Sequence, residues 1–541
     1  MTLLPVAEPE VWSLTLPDGV RLDADIWRPI GPGRYPVLLM RQPYGRRIAS
    51  TVVYAHPAWY AARGYIVVIQ DVRGTGSSTG RFQLFAAEEA DGAATLAAVA
   101  NVRGSTGQVG MYGFSYQGNT QLLALAGGGP LAAAAPCMVG WSLRDDWAYS
   151  ASQADGGVPC LAANVGWSIQ MAAIAARHSH EDRLAERLTL ASRALPLTEA
   201  NPLLPASLEE ARHLTHHHAW LDDDPRYWAA IAPAARLPAP VTVPMLHIGG
   251  WQDQMLLGTL ACHAAQSGSK APQPLVIGPW THLPWGQRVG AVDFGPAAAS
   301  AIDPLQLQFF NAALKGDGAP LPATQVFDLG LRSWRTLSAW PPTTQTLSLF
   351  PTSDGRAAAS VQAGRLARDP GAGQDWMVHD PWRPVPALGG PVALPGGVQD
   401  RAALDDRADV LTYTYAADDL AGLCLAGAPA LCLNLAADQP SFDVSAVLSR
   451  VTPDGRAWTL TEGYRRCWSG TGPVTVRLRP TLATLQPGER LRLSLAAAAF
   501  PAYPVNDGTG ANATATSARV ITLSLSHETS RLDLPILEGQ A

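Results

Sequence analysis

The chain has 541 residues, only 16% of them charged against roughly 25% in an ordinary globular protein, and a formal net charge of −6. At roughly 150 residues per domain that length makes about three or four domains, large enough to need no disulfide or metal to hold a core. The low charge excludes a disordered or coiled-coil chain, and the lack of a basic excess argues against nucleic acid and membrane partners.

Of the 39 basic residues only Lys270 and Lys315 are lysine, which reads as the coding bias of a GC-rich bacterial source. Residues 1–14 lack a basic start followed by a long apolar stretch, so no secretory signal is expected. No uninterrupted apolar window approaches about 18 residues, so no membrane span is expected either. The six cysteines, at 137, 160, 262, 424, 432 and 467, show no CxxC spacing and are expected as buried free thiols. A bridge among Cys424, Cys432 and Cys467 stays open. A cytoplasmic location fits both features.

In chain order, Asp18-Gly19 separates residues 11–16 from 20–27 and predicts a hairpin. Three short apolar runs follow, at 36–40, 65–70 and 109–112, each bounded by Gly or Pro and too short for a helix. Residues 86–99 are Ala-rich with Glu88 and Glu89 at their start, as a helix N-terminus prefers. Short apolar runs alternating with helical segments predict a parallel α/β sheet. Between 141 and 239 strand-like runs vanish, and 162–176, 181–194 and 208–218 read as helices. Strands resume at 243–248 and 275–277. Beyond about 341 the pattern is short strands and turns such as Pro453-Asp454-Gly455, with alternation at 474–478 and 490–495. That predicts an all-β sandwich or jelly roll. The nearest thing to a linker is the Pro- and Gly-rich stretch 385–397.

The most informative stretch is Gly113-Phe114-Ser115-Tyr116-Gln117-Gly118. An apolar strand precedes it and a helix-like 120–126 follows, which is the setting of a nucleophile elbow. A serine on such a turn projects off the end of the sheet. The N–H of the next residue and the positive end of the helix face the same space. Gln117 stands where a strict G-x-S-x-G has its last glycine.

A serine nucleophile needs a base, and the base needs a carboxylate to orient it. The strand at 243–248 leads to Gly249-Gly250-Trp251-Gln252-Asp253, and the strand at 275–277 leads to Gly278-Pro279-Trp280-Thr281-His282. Asp253 and His282 sit at similar offsets past successive strands, in the order Ser, acid, His. Both would reach the C-terminal edge of the sheet, where open parallel sheets bind their ligands. His216-His217-His218 reads as a solvated face or helix end, because a metal would want ligands at i and i+4. His247 reads as a packed strand residue. The Asp71–Gly80 stretch reads as a structural loop, since its glycines do not space as a dinucleotide site.

Together these motifs resemble the cocaine-esterase-like (CocE/NonD) family of serine hydrolases, relatives of X-Pro dipeptidyl peptidases and α-amino acid ester hydrolases. The matching stretches are Arg41-Gln-Pro-Tyr44, Asp71–Gly80, Gly110-Met-Tyr-Gly-Phe-Ser-Tyr116, His247-Ile-Gly-Gly-Trp-Gln-Asp253 and Gly278-Pro-Trp-Thr-His282. Trp340-Pro-Pro342 and Asp406-Arg-Ala-Asp-Val-Leu-Thr-Tyr413 extend the likeness towards the C-terminus. The resemblance implies an α/β-hydrolase domain split between 1–140 and 240–340, a helical cap at 141–239 and a jelly roll at 341–541. It implies a triad of Ser115, Asp253 and His282, and an oxyanion hole made by the Tyr44 hydroxyl and the Tyr116 N–H. Gln252 departs from the tyrosine common before the acid, which bears on substrate preference.

The expected activity is hydrolysis of carboxylic esters through an acyl-serine, with no cofactor and no metal. Trp147, Trp167 and Met255 are candidates for gripping an apolar acyl group, with cap core as the competing role. An X-Pro peptidase, or an α-amino acid ester or β-lactam acylase, would add carboxylates for a substrate ammonium, and the segment offers Asp145, Asp146 and Asp222-Asp223-Asp224. An acyltransferase would share the acyl-serine. The partner expected is a small ester or amide, with self-association through the β region an option.

Overall fold

A computed structural model describes residues 3–47, 51–152, 154–416, 421–470, 472–510 and 517–538. The first hairpin forms between β1 (Glu10–Thr15) and β2 (Arg21–Trp27), with Gly19 at φ 82° in the turn. The apolar runs become β3 (Tyr35–Gln42), β4 (Ile66–Asp71) and β5 (Ser105–Phe114), with α1 (Pro57–Ala61) and α2 (Glu88–Val99) between them. Then come α3 (Tyr116–Ala126) and β6 (Ala133–Cys137). Strand β6 was not foreseen, because Ala-Ala-Ala-Pro-Cys carries no strand preference of its own. Its place between two parallel strands, buried throughout, makes small residues suitable.

After the helical segment the sheet continues with β7 (His247–Gln252), α10 (Leu256–Ala265) and β8 (Leu275–Thr281). After a separate two-stranded ribbon of β9 (Arg288–Val289) and β10 (Val292–Asp293) and helix α11 (Ile302–Phe310), β11 (Thr324–Asp328) and β12 (Ser333–Leu337) complete it. The sheet order is β1-β2-β4-β3-β5-β6-β7-β8-β11-β12. The block from β4 to β11 is parallel throughout, flanked by antiparallel edges. All six residues of β4, and all but Tyr35 of β3, are buried, as expected for strands covered on both faces.

The interruption holds α4 (Ala162–His178), α5 (Asp182–Arg193), α6 (Ala206–Glu210), α7 (His217–Asp222), α8 (Pro225–Ile231) and α9 (Pro233–Arg236). The single helix expected over 208–218 is two, broken at Ala211–His216. Val165, Ile169, Ala172 and Ala176 line one face of α4 and pack on Leu184 and Leu188 of α5. This 3–4 spacing is the apolar stripe of an amphipathic helix. No helix of the described residues is long and apolar enough to cross a membrane.

From β13 (Thr344–Thr352) to the last strand, Ile521–Leu537, the regular structure of the described residues is mostly strand, joined by loops and one short helix, Ala402–Asp405. This β region docks tightly on the α/β sheet. Buried Asp328 of β11 accepts from the Thr484 N–H at 2.9 Å, and a Cβ on Gly330 would lie 1.8 Å from the Thr484 carbonyl oxygen. All six cysteines are free, five of them buried and Cys432 half-buried.

Candidate active site

Ser115 sits between the end of β5 and the start of α3 with φ 58° and ψ −126°. A left-handed φ on a non-glycine residue costs about 1–2 kcal/mol and persists only where the surroundings enforce it. Here the Ser115 N–H donates to the carbonyls of Cys137 (2.9 Å) and Met138 (3.2 Å) at the end of β6. The flanking glycines are required by space. A Cβ on Gly113, itself at φ 140°, would lie 2.5 Å from the Gln117 Cβ, and one on Gly118 would lie 2.4 Å from Val139 Cγ1. Gln117 fits because its side chain folds back, its Oε1 accepting from the Phe114 N–H at 3.3 Å. Phe85, Met138 and Leu143, next to this turn, share the positive φ. Strain is thus concentrated around the elbow.

Tyr116 is the first residue of α3, so its N–H has no carbonyl of its own helix to bond. The Tyr116 ring is buried, stacked on Phe85 at 4.3 Å, and its hydroxyl donates to Glu88 at 2.8 Å. Glu88 is in turn ion-paired with buried Arg41. Burial pushes the Glu88 carboxyl up, and Arg41 pulls the other way.

Asp253 follows β7 and His282 follows β8. The His282 Nδ1 and Asp253 Oδ1 are 2.8 Å apart, with Asp253 fully buried and the imidazole 23% exposed. The glycines and tryptophans expected as loop residues before them lie within the strands, so both side chains stand directly at the strand ends. The His282 ring packs against Phe114, the neighbour of Ser115, with centroids 5.5 Å apart. Trp285 flanks the same Phe114 and donates from its indole to the His282 carbonyl at 3.0 Å.

Tyr44 follows β3. Its hydroxyl lies within electrostatic reach of the Ser115 side chain, and burial pushes the phenol up to about 12. The phenol is therefore a neutral donor, the form suited to a developing oxyanion. The Trp167 indole N–H on α4 donates to the Tyr44 oxygen at 3.2 Å. A phenol that accepts this bond has its own proton free to point elsewhere.

Sequence reasoning passed over the supports of Tyr44. Gln42 Oε1 accepts from the Tyr44 N–H at 2.7 Å, and Gln42 Nε2 donates to Asp71 at 3.1 Å. Asp71 also accepts from the Arg46 N–H (2.7 Å) and guanidinium (2.6 Å). The Asp71 loop is therefore structural, and what it holds is the Tyr44 loop. A Cβ on Gly76 at φ 56° would collide with the Asp71 carboxylate at 2.1 Å. Both stretches were visible as motifs, but a sequence does not say that two loops touch.

Trp147 (4% exposed) and Met255 (1%) lie inside a core cluster with Tyr116 and Trp220, while Trp167 is partly exposed at its margin. The histidine triplet differs from the expected solvated face. His217 is buried and His216 half-buried, against Ser168 at 3.0 and 3.2 Å, and burial pushes His217 down to about 4. The chain folds α7 back on α4, and the rings fill the space behind Trp167 and Trp220. His218, the third, pairs with Glu209 at 2.8 Å.

Four of the five carboxylates named for a substrate ammonium are engaged, and the fifth, Asp222, is exposed. Asp146 accepts from the N–H groups of Trp141, Ser142 and Leu143. Arg144 pairs with Asp145 and Asp223, and Arg226 with Asp224.

Residues 18–284 match the family model described as X-Pro dipeptidyl-peptidase (S15 family). Residues 317–532 match its C-terminal non-catalytic domain. A cocaine esterase from Rhodococcus sp. (strain MB1 Bresler) is 31% identical over 533 residues, covering 91% of each chain. Among solved structures, an α-amino acid ester hydrolase aligns with TM-score 0.73 at 22% identity, over 98% of this chain and 96% of that one. A CocE/NonD family hydrolase from Staphylococcus aureus aligns with TM-score 0.67 at 16% identity, over 98% and 94%. The fold is thus that of α/β-hydrolase-like enzymes with a C-terminal β domain.

Proposed function

The chain belongs to the X-Pro dipeptidyl-peptidase (S15) family of serine hydrolases, among its cocaine-esterase-like (CocE/NonD) members, and from that premise we propose that it cleaves carboxylic esters through an acyl-serine. His282, with Nδ1–H held by Asp253, has Nε2 as its free base and takes the Ser115 proton as the oxygen attacks the ester carbonyl. Asp253 stabilises the imidazolium. The Tyr44 hydroxyl and the Tyr116 N–H hold the tetrahedral oxyanion, each donor contributing roughly 3–4 kcal/mol to lowering the barrier. The imidazolium protonates the departing alcohol, and water then hydrolyses the acyl-serine by the same proton transfers.

One observation carries this assignment: a hydrogen-bonded Asp253–His282 pair stands at the sheet edge where Ser115 is held in a strained turn. Esters of uncharged acyl groups are favoured over amino-acid esters and X-Pro peptides. Those substrates carry an ammonium, and four of the five carboxylates offered for it are already bound to backbone N–H groups or arginines, while Asp222 faces solvent. Trp167, beside Tyr44, is the side chain that touches the acyl group, with Trp147 and Met255 backing it from the core. The helical segment 141–239 acts as the cap over this site. The split α/β domain comprises 1–140 and 240–340, and 341–541 forms a jelly roll.

Ser115→Ala tests the assignment. It should abolish both ester turnover and covalent labelling by a fluorophosphonate, and labelling that persists refutes the nucleophile. A panel of acyl esters, amino-acid esters and an X-Pro anilide tests the substrate class, and preference for the anilide would refute it. An added alcohol or amine trapping the acyl group faster than water does would mark a transferase instead.

A further inference from the structure

The loop that carries Asp253 is gripped from the β region. Arg479 lies between strands Val474–Arg477 and Thr481–Thr484, within the segment that matches the non-catalytic domain. Its Nη2 donates to the carbonyl oxygens of both Asp253 and Gln254, each at 2.8 Å. One Nη atom carries two N–H bonds in a fixed plane, so a single guanidinium arm can hold two successive carbonyls. The strand Ala457–Trp468 fixes Arg479 in turn: the Arg479 N–H donates to the Glu462 carbonyl at 2.9 Å, and Thr461 Oγ1 donates to the Arg479 carbonyl at 2.6 Å. The half-buried Glu462 carboxyl lies within electrostatic reach of Arg479 and Arg401, and desolvation pushes it up to about 7. Gln252 adds a longer contact, its Nε2 donating to the Leu460 carbonyl at 3.4 Å.

The Asp253 carboxylate itself is sparsely held. Oδ1 meets His282, and Oδ2 is buried with no hydrogen-bond partner among the described residues. With no second donor to fix its plane, the aim of this carboxylate depends on the backbone of 253–254. Locally that backbone has the Asp253 N–H donating to Gly250 (3.1 Å) and the Leu256 N–H donating to Asp253 (3.2 Å), and otherwise Arg479.

We propose that Arg479 is a positioning residue for the acid of the triad: the β region, through this one side chain, aims Asp253 at His282. This rests on the assignment of Asp253 as the orienting acid.

The test uses the full chain and a chromogenic short acyl ester. Arg479→Gln should lower kcat by about 10- to 100-fold, the scale of a small misplacement of a reacting group, with KM unchanged. Arg479→Lys, which keeps charge but not the two-carbonyl fork, should fall between. Added guanidinium below denaturing concentration should restore activity to Arg479→Gln but not to Asp253→Asn. The downfield Nδ1 proton resonance of His282 should weaken or shift. A structural brace alone would lower thermal stability without moving that resonance or answering to guanidinium, and this result overturns the proposal. If Arg479→Gln does not fold, Arg479→Lys decides: wild-type kcat refutes, reduced kcat at constant KM supports. Ser115→Ala and Asp253→Asn run alongside. Turnover retained in those two refutes the triad and the proposal with it, whereas their inactivity beside wild-type kcat in both Arg479 variants refutes Arg479 alone.

Discussion

The Trp167–Tyr44 contact permits a quantitative test, because it predicts where an effect should vanish. Trp167→Phe keeps an aromatic ring on α4 and removes the N–H that reaches the Tyr44 oxygen at 3.2 Å. That distance is at the long end for a hydrogen bond between neutral groups, worth about 1 kcal/mol, so kcat should fall about fivefold. Tyr44→Phe deletes the oxyanion donor itself and should lower kcat by about 10²–10³-fold. If Trp167 acts by orienting the phenol, it has nothing left to orient once the hydroxyl is gone. The double variant should then match Tyr44→Phe, a coupling of about 1 kcal/mol. The assay is kcat and KM on one short acyl ester for all four proteins, with thermal midpoints to confirm the fold. A Trp167→Phe penalty that persists in the Tyr44→Phe background, and falls on KM, would refute orientation and leave Trp167 as an acyl-group wall only. Because burial pushes the Tyr44 phenol up to about 12, the Tyr44-dependent part of kcat should show no inflection near the ordinary phenol value of about 10.

Asp253→Asn should lower kcat by about 10⁴-fold with little change in KM, because an amide NH₂ turned to His282 favours the wrong imidazole tautomer; a loss under tenfold would argue against the triad. Gly118→Ala drives a methyl to 2.4 Å from Val139 Cγ1 and 2.9 Å from the Cys137 carbonyl. It should destabilise by about 1–3 kcal/mol, read by denaturant titration, and an unchanged midpoint would contradict the tight elbow. His217 is buried with its pKa lowered to about 4, so the unfolded chain takes up its proton first as pH falls. Its contribution to stability is complete above about 6.5 and is lost on acidification towards about 4, at most about 3 kcal/mol in all. The thermal midpoint of His217→Gln should therefore fall less across that window than that of the native chain, and parallel curves would contradict it.

Much of the site was legible because its signals are local. An apolar strand, a Gly-x-Ser turn and a helix are contiguous, and the sterics that demand glycine at 113 and 118 act within a few residues. Asp253 and His282 are also local signals, each a polar residue ending an apolar run. The order of the strands then brings them to one edge. Three things were not legible. The strand Ala133–Cys137 has a composition that suits any buried small-residue segment. The triplet at 216–218 looked polar and proved to be mostly packing, because burial depends on where α7 lands and not on side-chain polarity. Trp147 and Met255 went to the core while Trp167 came to the edge, although periodicity treats all three alike.

The low charge met at the start is consistent with the interior now described, in which two wide sheets and a helical segment bury most of the aliphatic and aromatic chain. By itself the sequence determined the class of chemistry and offered Ser115, Asp253 and His282 as the candidates for it, since each is announced by its own neighbours along the chain. Tertiary structure alone decided what holds them. Asp71 steadies Tyr44 across 27 positions, Trp167 reaches Tyr44 across 123, and Arg479 reaches Asp253 across 226. Such contacts involve single polar atoms meeting after the chain has folded. Neither hydrophobic period nor turn chemistry records them, because both describe only what a residue's near neighbours require.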